Sequence, residues 1–132
     1  ELSKKLDDTY RIILVGLTKE QIKDLPSNMI GIERTNSVKE LVELYSAAAI
    51  FVNPTLEDNY PTTNIEAIAC GTPVVTYDTG GSPESAKMYG TSVAQKDVQA
   101  LVRAIKNAGT FNPVDYKTSV QKYMRLYEGE IL

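Results

Sequence analysis

The chain has 132 residues, 42% of them hydrophobic and 23% charged, with a net charge of −3. That suits one compact domain and excludes a binder of nucleic-acid backbones, which needs a dense basic face. One cysteine, Cys70, and no histidine also exclude disulfide frameworks, Cys/His zinc sites and histidine-based triads.

Short apolar runs rich in β-branched residues alternate with segments of helical period, the pattern of parallel βαβ units whose strands are covered on both faces. The chain opens in a helical stretch, with Leu2 and Leu6 one turn apart, and no strand precedes it; an upstream strand is therefore expected. Residues 10–15 form the first buried strand and end at Gly16. Thr18 and Gln21 have capping-box spacing and open a short helix that Pro26 stops, and residues 29–32 form a second strand. Ser37 and Glu40 form another capping box, after which Val38, Leu41, Val42 and Tyr45 mark one apolar helix face.

That helix feeds a strand over residues 49–53. A third helix, from about Thr63 to Cys70, closes on Gly71 and leads into an apolar, central strand over residues 73–77. A turn at Thr79-Gly80-Gly81 precedes a short helical stretch and an edge strand over residues 91–94. Asp97 caps an amphipathic helix through Val98, Leu101, Val102 and Ile105 that Gly109 ends; Tyr116, Val120, Tyr123, Met124 and Tyr127 repeat at helical spacing beyond it. The expected fold is α/β, a Rossmann-like parallel sheet flanked by helices, in a single domain over residues 1–132.

The chemistry concentrates in residues 53–75, which join the C-terminal end of one strand to the start of a helix, the place where open α/β sheets bind ligands. The helix start at Thr62, Thr63 and Asn64 offers unpaired amides, a positive dipole end and two hydroxyls, which suit a diphosphate without a metal. Asp58, with Glu57 beside it, and Glu66 in the first helical turn bracket that start. Carboxylates accept hydrogen bonds from vicinal sugar hydroxyls, so one acid could hold a ribose and the other a transferred hexose. On spacing alone a plainer reading stands beside this one: Glu66 lies three residues after Thr63 and would complete a capping box, and Glu57 and Asp58 would be solvated loop charges.

The run Asp58, Glu66-Ala-Ile-Ala-Cys-Gly-Thr-Pro-Val74 and Gly80-Gly-Ser-Pro-Glu84 resembles the donor-site signature of the family-4 (group 1) retaining glycosyltransferases of the GT-B fold. The lead-in Glu40-Leu-Val-Glu-Leu-Tyr-Ser-Ala-Ala48 and Ile50-Phe-Val-Asn-Pro54 is similar to the same family's helix and strand. The resemblance implies half of a GT-B fold lacking its first strand, and a chain that binds a nucleoside-diphosphate sugar, the donor substrate, with no metal or other cofactor. It implies that Glu66 bonds the ribose hydroxyls and that the backbone of Thr62, Thr63 and Asn64 faces the diphosphate. Asp58 or its neighbour Glu57 would act at the donor sugar as the catalytic acid residue, and Gly16, Arg34 and Thr35 would lie near the base. This chain departs from the family's usual Glu followed by Gly-Phe-Gly, with Asp58 at the acidic position, Glu57 out of register by one, and Asn59-Tyr60-Pro61, a stiffer loop.

The partners implied are the donor and an N-terminal acceptor-binding domain absent from this sequence, as are the basic residues after the first strand that stabilise the leaving diphosphate. The isolated chain is therefore expected to be inactive in transfer. The cytoplasm is the expected compartment, with peripheral association at the inner face of the membrane left open. Two other readings are a flavodoxin-like regulatory receiver and a non-catalytic nucleotide-sugar-binding module. The receiver needs acids where the strands end in Gly16-Leu17 and Asn53-Pro54. A dinucleotide-dependent dehydrogenase is disfavoured by the absence of Gly-x-Gly-x-x-Gly after a strand.

Overall fold

The computed structural model describes residues 1–57 and 61–108, and all strand pairing among them is parallel. The chain divides into two compact units, Glu1–Glu43 and Leu44–Leu132, and the division falls inside a helix. Each unit holds a parallel sheet with helices packed on it, a Rossmann-like α/β arrangement.

The first unit runs α1 (Leu2–Lys5), β1 (Ile12–Val15), α2 (Lys19–Lys23), β2 (Met29–Ile32) and the start of α3 (Val38–Ala47). Thr18 and Gln21 form the expected capping box: the Thr18 amide donates to Gln21 Oε1 at 2.8 Å and the Gln21 amide to Thr18 Oγ1 at 3.2 Å. Gly31 lets α2 lie directly on β2, since a Cβ there would sit 2.6 Å from Ile22 Cγ1 and 2.8 Å from Leu25 Cδ1. The opposite face carries Ile13 and Ile30, which pair in register, and Val15; all three are close to half exposed. The first strand is thus shorter than residues 10–15 and is not buried on both faces. A two-stranded sheet with its helix on one side leaves the other side to solvent.

The second capping box forms by half. The Glu40 amide donates to Ser37 Oγ at 3.1 Å, but the Glu40 carboxylate accepts from the Asn36 amide at 2.7 Å, not from Ser37. The apolar stripe on α3 is buried only at its C-terminal end: Val38 is 78% exposed and Val42 is also exposed, whereas Tyr45 is buried and packs edge-on against Phe51 at 5.4 Å between centroids.

The second unit runs β3 (Phe51–Asn53), α4 (Thr62–Ala69), β4 (Val74–Tyr77), α5 (Ser82–Ala86), β5 (Gly90–Val93) and α6 (Val98–Lys106). The sheet order is β3-β4-β5, so β4 is central as expected, with Val74, Val75, Thr76 and Tyr77 all buried, and β5 lies at an edge. Ile65 and Ile68 of α4 and Leu101 and Ile105 of α6 complete the core with Val74 and Val75. Side chains so buried contribute about 1.5–3 kcal/mol each, which makes this unit the better consolidated of the two.

Helix α4 ends at Gly71, with φ +82°, in a Schellman motif: the Gly71 amide donates to the Ile68 carbonyl at 2.9 Å and the Thr72 amide to the Ala67 carbonyl at 3.0 Å. Asp97 caps α6 through the Ala100 amide at 2.9 Å. The expected helix stop at Gly109 and the apolar spacing from Tyr116 to Tyr127 lie outside the described residues.

Candidate functional site

Residues 53–57 and 61 leave the C-terminal end of β3 and enter α4, the edge of a parallel sheet where crossover loops leave room for a ligand. Hydroxyls from the neighbouring β4 segment pin this edge. Thr76 Oγ1 donates to the Asn53 carbonyl at 2.9 Å, and Thr79 Oγ1 donates to the Leu56 carbonyl at 2.9 Å. The loop that carries Glu57 is thereby tied to the Thr79-Gly80-Gly81 turn, where Gly80 takes φ +52° and the Ser82 amide closes on the Thr79 carbonyl at 3.0 Å. Glu57 is exposed; Asp58 lies outside the described residues.

Helix α4 begins at Thr62 with Pro61 as its N-cap, and no side chain caps it. Proline fixes φ near its ordinary value, −75° here, and has no side-chain oxygen to offer, so Pro61 leaves the first amides without a cap. Thr62 and Thr63 are exposed, and their amides meet no acceptor among the described residues; the Asn64 amide turns back to the Pro61 carbonyl at 3.1 Å. Exposed amides at the positive end of the helix dipole can receive an anion.

Asn64 differs from its two neighbours. Its side chain is fully buried, with Oδ1 accepting from Asn53 Nδ2 at 2.9 Å and Nδ2 donating to Ser85 Oγ at 2.9 Å. With its amide turned back to Pro61 as well, Asn64 presents neither side chain nor amide to a ligand, so the expected backbone contact to a diphosphate is left to Thr62 and Thr63.

Glu66 is the fifth helical residue, in the second turn of α4 and not the first. It makes no capping box with Thr63, because the N-cap is Pro61, two residues earlier than that spacing requires. Its carboxylate, half-buried, accepts instead from Tyr45 Oη at 3.2 Å. Burial first, and then the charge and hydrogen bond of Glu66, push the Tyr45 phenol far above its ordinary range, so it stays a donor at neutral pH. Burial and the same carboxylate raise the Cys70 thiol, against the opposing hydrogen bond of Ser46. Cys70 is therefore held toward the protonated thiol, the less nucleophilic form.

Among the first-unit residues, Gly16 ends β1 at φ +95°, with open space where a Cβ would stand, and its amide donates to the Ile32 carbonyl at 2.9 Å. That bond brings the end of β1 beside the chain leading to Arg34, which is exposed, and Thr35, which is half-buried. The structure therefore assembles Thr62, Thr63, Asn64 and Glu66 on one helix start in the second unit, and Gly16 with the 34–35 turn in the first. Among the described residues no group of three or more His, Cys, Asp or Glu could hold a metal ion, and no helix is long and apolar enough to cross a membrane.

Sequence reasoning missed Asn53, Tyr45 and Ser85. Tyr45 was assigned to an apolar face, where its hydroxyl leaves no periodic signal; Asn53 at a strand end and Ser85 in a short helix each have only their polarity to mark them.

Residues 1–109 match the family model described as glycosyl transferases group 1. The chain is 38% identical over 77 residues to the alpha-maltose-1-phosphate synthase of Mycobacterium tuberculosis, an alignment covering 58% of this chain and 19% of that protein. It is 32% identical over 70 residues to the enzyme of the same name from Mycolicibacterium smegmatis, covering 53% and 18%. It is 43% identical over 44 residues to the D-inositol 3-phosphate glycosyltransferase of Streptomyces bingchenggensis, covering 33% and 10%. The chain thus spans less than a fifth of the length of these curated relatives.

Proposed function

We infer the function from a fact of family: this chain belongs to the glycosyl transferases group 1. We propose that it is the donor-binding half of a retaining transferase that moves a sugar from a nucleoside-diphosphate sugar to an acceptor. The observation that carries this reading is the start of α4, where a proline N-cap leaves the Thr62 and Thr63 amides exposed one turn from the Glu66 carboxylate. The diphosphate lies on those amides, and Glu66 accepts hydrogen bonds from the ribose hydroxyls. Asp58 or Glu57 serves the donor sugar, and Gly16, Arg34 and Thr35 serve the base. The donor is held without a metal.

Transfer also needs an acceptor site and cations to stabilise the departing diphosphate. We assign the acceptor site to an N-terminal domain of the complete enzyme and the cations to basic residues after the first strand of the donor-binding domain, so the chain alone binds donor weakly and does not transfer. We place the complete enzyme in the cytoplasm, where nucleotide sugars are the donors, with association at the inner membrane face set by the acceptor.

Thr62→Pro is a clean test. Proline is well tolerated at the first helical position, so the substitution removes one phosphate-facing amide and leaves the helix intact. Calorimetric titration of the complete enzyme with uridine, guanosine and adenosine diphosphates should show the preferred one losing about 10-fold in affinity, the scale of one hydrogen bond to a charged group. Glu66→Ala should cost a similar factor. Unchanged affinity in both variants would refute the assignment, and binding without transfer by the complete enzyme would mark it as a module that kept the fold and lost the chemistry.

A further inference from the structure

A directional chain of side-chain hydrogen bonds runs through the ligand edge of the second unit. Thr76 Oγ1 of β4 donates to the Asn53 carbonyl at the end of β3; Asn53 Nδ2 donates to Asn64 Oδ1 in α4 at 2.9 Å; Asn64 Nδ2 donates to Ser85 Oγ in α5 at 2.9 Å; and Ser85 Oγ donates to the Ser82 carbonyl at 2.8 Å. Asn64 and Ser85 are fully buried. Turning the Asn64 amide over by itself would set its NH2 against the NH2 of Asn53, so the two amides are coupled in orientation.

A leucine would fill the place of Asn64 without burying any polar atom, so packing alone gives no reason for an amide there. A fully satisfied buried network does something packing does not: it specifies one arrangement of the elements it joins. Here those elements are two strands and two helices, and the indexed point is the third residue of α4, directly after the exposed Thr62 and Thr63.

We propose that the Asn53–Asn64–Ser85 relay sets the position of the Thr62 and Thr63 amides, which makes Asn64 a positioning residue for the diphosphate and not a side-chain ligand of it. The proposal rests on the donor reading above. It follows from how steeply hydrogen bonding falls off with misplacement: a helix start free to shift by a fraction of an ångström on an apolar contact would present the same amides less well to a rigid diphosphate.

The test compares each nucleoside diphosphate (uridine, guanosine, adenosine) with its monophosphate, titrated into the complete enzyme and its Asn64→Leu, Ser85→Ala and Ser85→Thr variants, with melting curves to confirm folding. Asn64→Leu should cut the preference for diphosphate over monophosphate by about 10-fold while leaving affinity for the monophosphate unchanged. Ser85→Ala, which keeps the Asn53–Asn64 bond, should cut it by about 3-fold, and Ser85→Thr, which keeps the hydroxyl, should restore it. A merely structural role would lower both affinities together or shift only the melting temperature, and either result overturns the proposal. An unaltered preference in folded Asn64→Leu and Ser85→Ala overturns it while leaving the donor reading standing. A wild-type protein without any diphosphate preference removes the donor reading and the relay's purpose together.

Discussion

Tyr45→Phe removes one oxygen atom from the contact on which the Glu66 geometry depends. The ring stays, and with it the edge-on contact to Phe51; what goes is the hydrogen bond from Tyr45 Oη to the Glu66 carboxylate at 3.2 Å. Bonds to charged groups contribute about 1.5–3 kcal/mol, and this one is long for an O–H···O bond and made to a half-buried acid, so about 1 kcal/mol of lost stability is expected at pH 7. The pH dependence gives a sharper signature. The folded state holds the Tyr45 proton more tightly than the unfolded chain does, because burial and then the Glu66 charge raise the phenol. Its contribution is complete below the ordinary tyrosine value of about 10 and is lost as pH climbs from there toward the higher folded-state value. Urea denaturation of both proteins from pH 7 to 11 measures this, and subtracting one curve from the other cancels the remaining tyrosines and lysines. The difference should shrink above about pH 10 and then change sign. A difference that stays constant to pH 11 would refute the reasoning, since it would mean that the hydroxyl faces water and not the carboxylate.

Gly90→Ala should cost about 3 kcal/mol or more in urea denaturation, because at φ +148° its Cβ would stand 1.9 Å from the Val74 carbonyl oxygen inside the β4–β5 pair. Gly71→Ala, at φ +82° with open space around it, should cost only the left-handed penalty of about 1–2 kcal/mol; equal losses in the two variants would show the Gly90 contact to be relieved. Ser82 Oγ is fully buried and is the one buried side-chain polar atom without a partner among the described residues. Ser82→Ala should therefore hold or raise the melting temperature, by up to about 1 kcal/mol of stability, and a marked fall would reveal an acceptor for that hydroxyl. Cys70 should alkylate with iodoacetamide more slowly at pH 7.5 than a free thiol, and Glu66→Gln should speed the reaction by removing a charge that raises the thiol; no change on that substitution would contradict the cause assigned to it.

Periodicity made the second unit legible almost element by element. Strand β4 reads as a continuous apolar run because it is covered on both faces, and the stops of α4 and the start of α6 are marked by Gly71 and Asp97, whose conformational and hydrogen-bonding roles are local. The first unit was less legible for a physical reason. The run Ile12-Ile-Leu-Val15 is apolar at every position, as a buried strand is, yet alternate residues face outward; the sequence records apolarity, not the partner that would cover it. The candidate site shows the same division. Its helix start, its proline and its glycines could be read from the chain, whereas the Tyr45–Glu66 contact joins residues 21 apart and the Asn53–Asn64 bond residues 11 apart, and no local pattern announces either.

There are two ways to hold a helix start in place, and they have opposite consequences for function. A side-chain cap, as Thr18 supplies to α2 and Asp97 to α6, stabilises the helix by about 1 kcal/mol but occupies an amide that a ligand would otherwise use. A relay on the buried flank holds the same turn from behind. At α4 the chain gives up the cap by placing Pro61 there and ties Asn64 to Asn53 and Ser85 instead, two bonds of about 0.5–1.5 kcal/mol each, enough to offset the missing cap. The exchange costs little stability and, on the relay proposed above, leaves the amides of Thr62 and Thr63 fixed while no described residue covers them. Pre-organised donors of that kind are what a transferase needs where negative charge gathers, since they stabilise it without having to reorganise as the sugar departs.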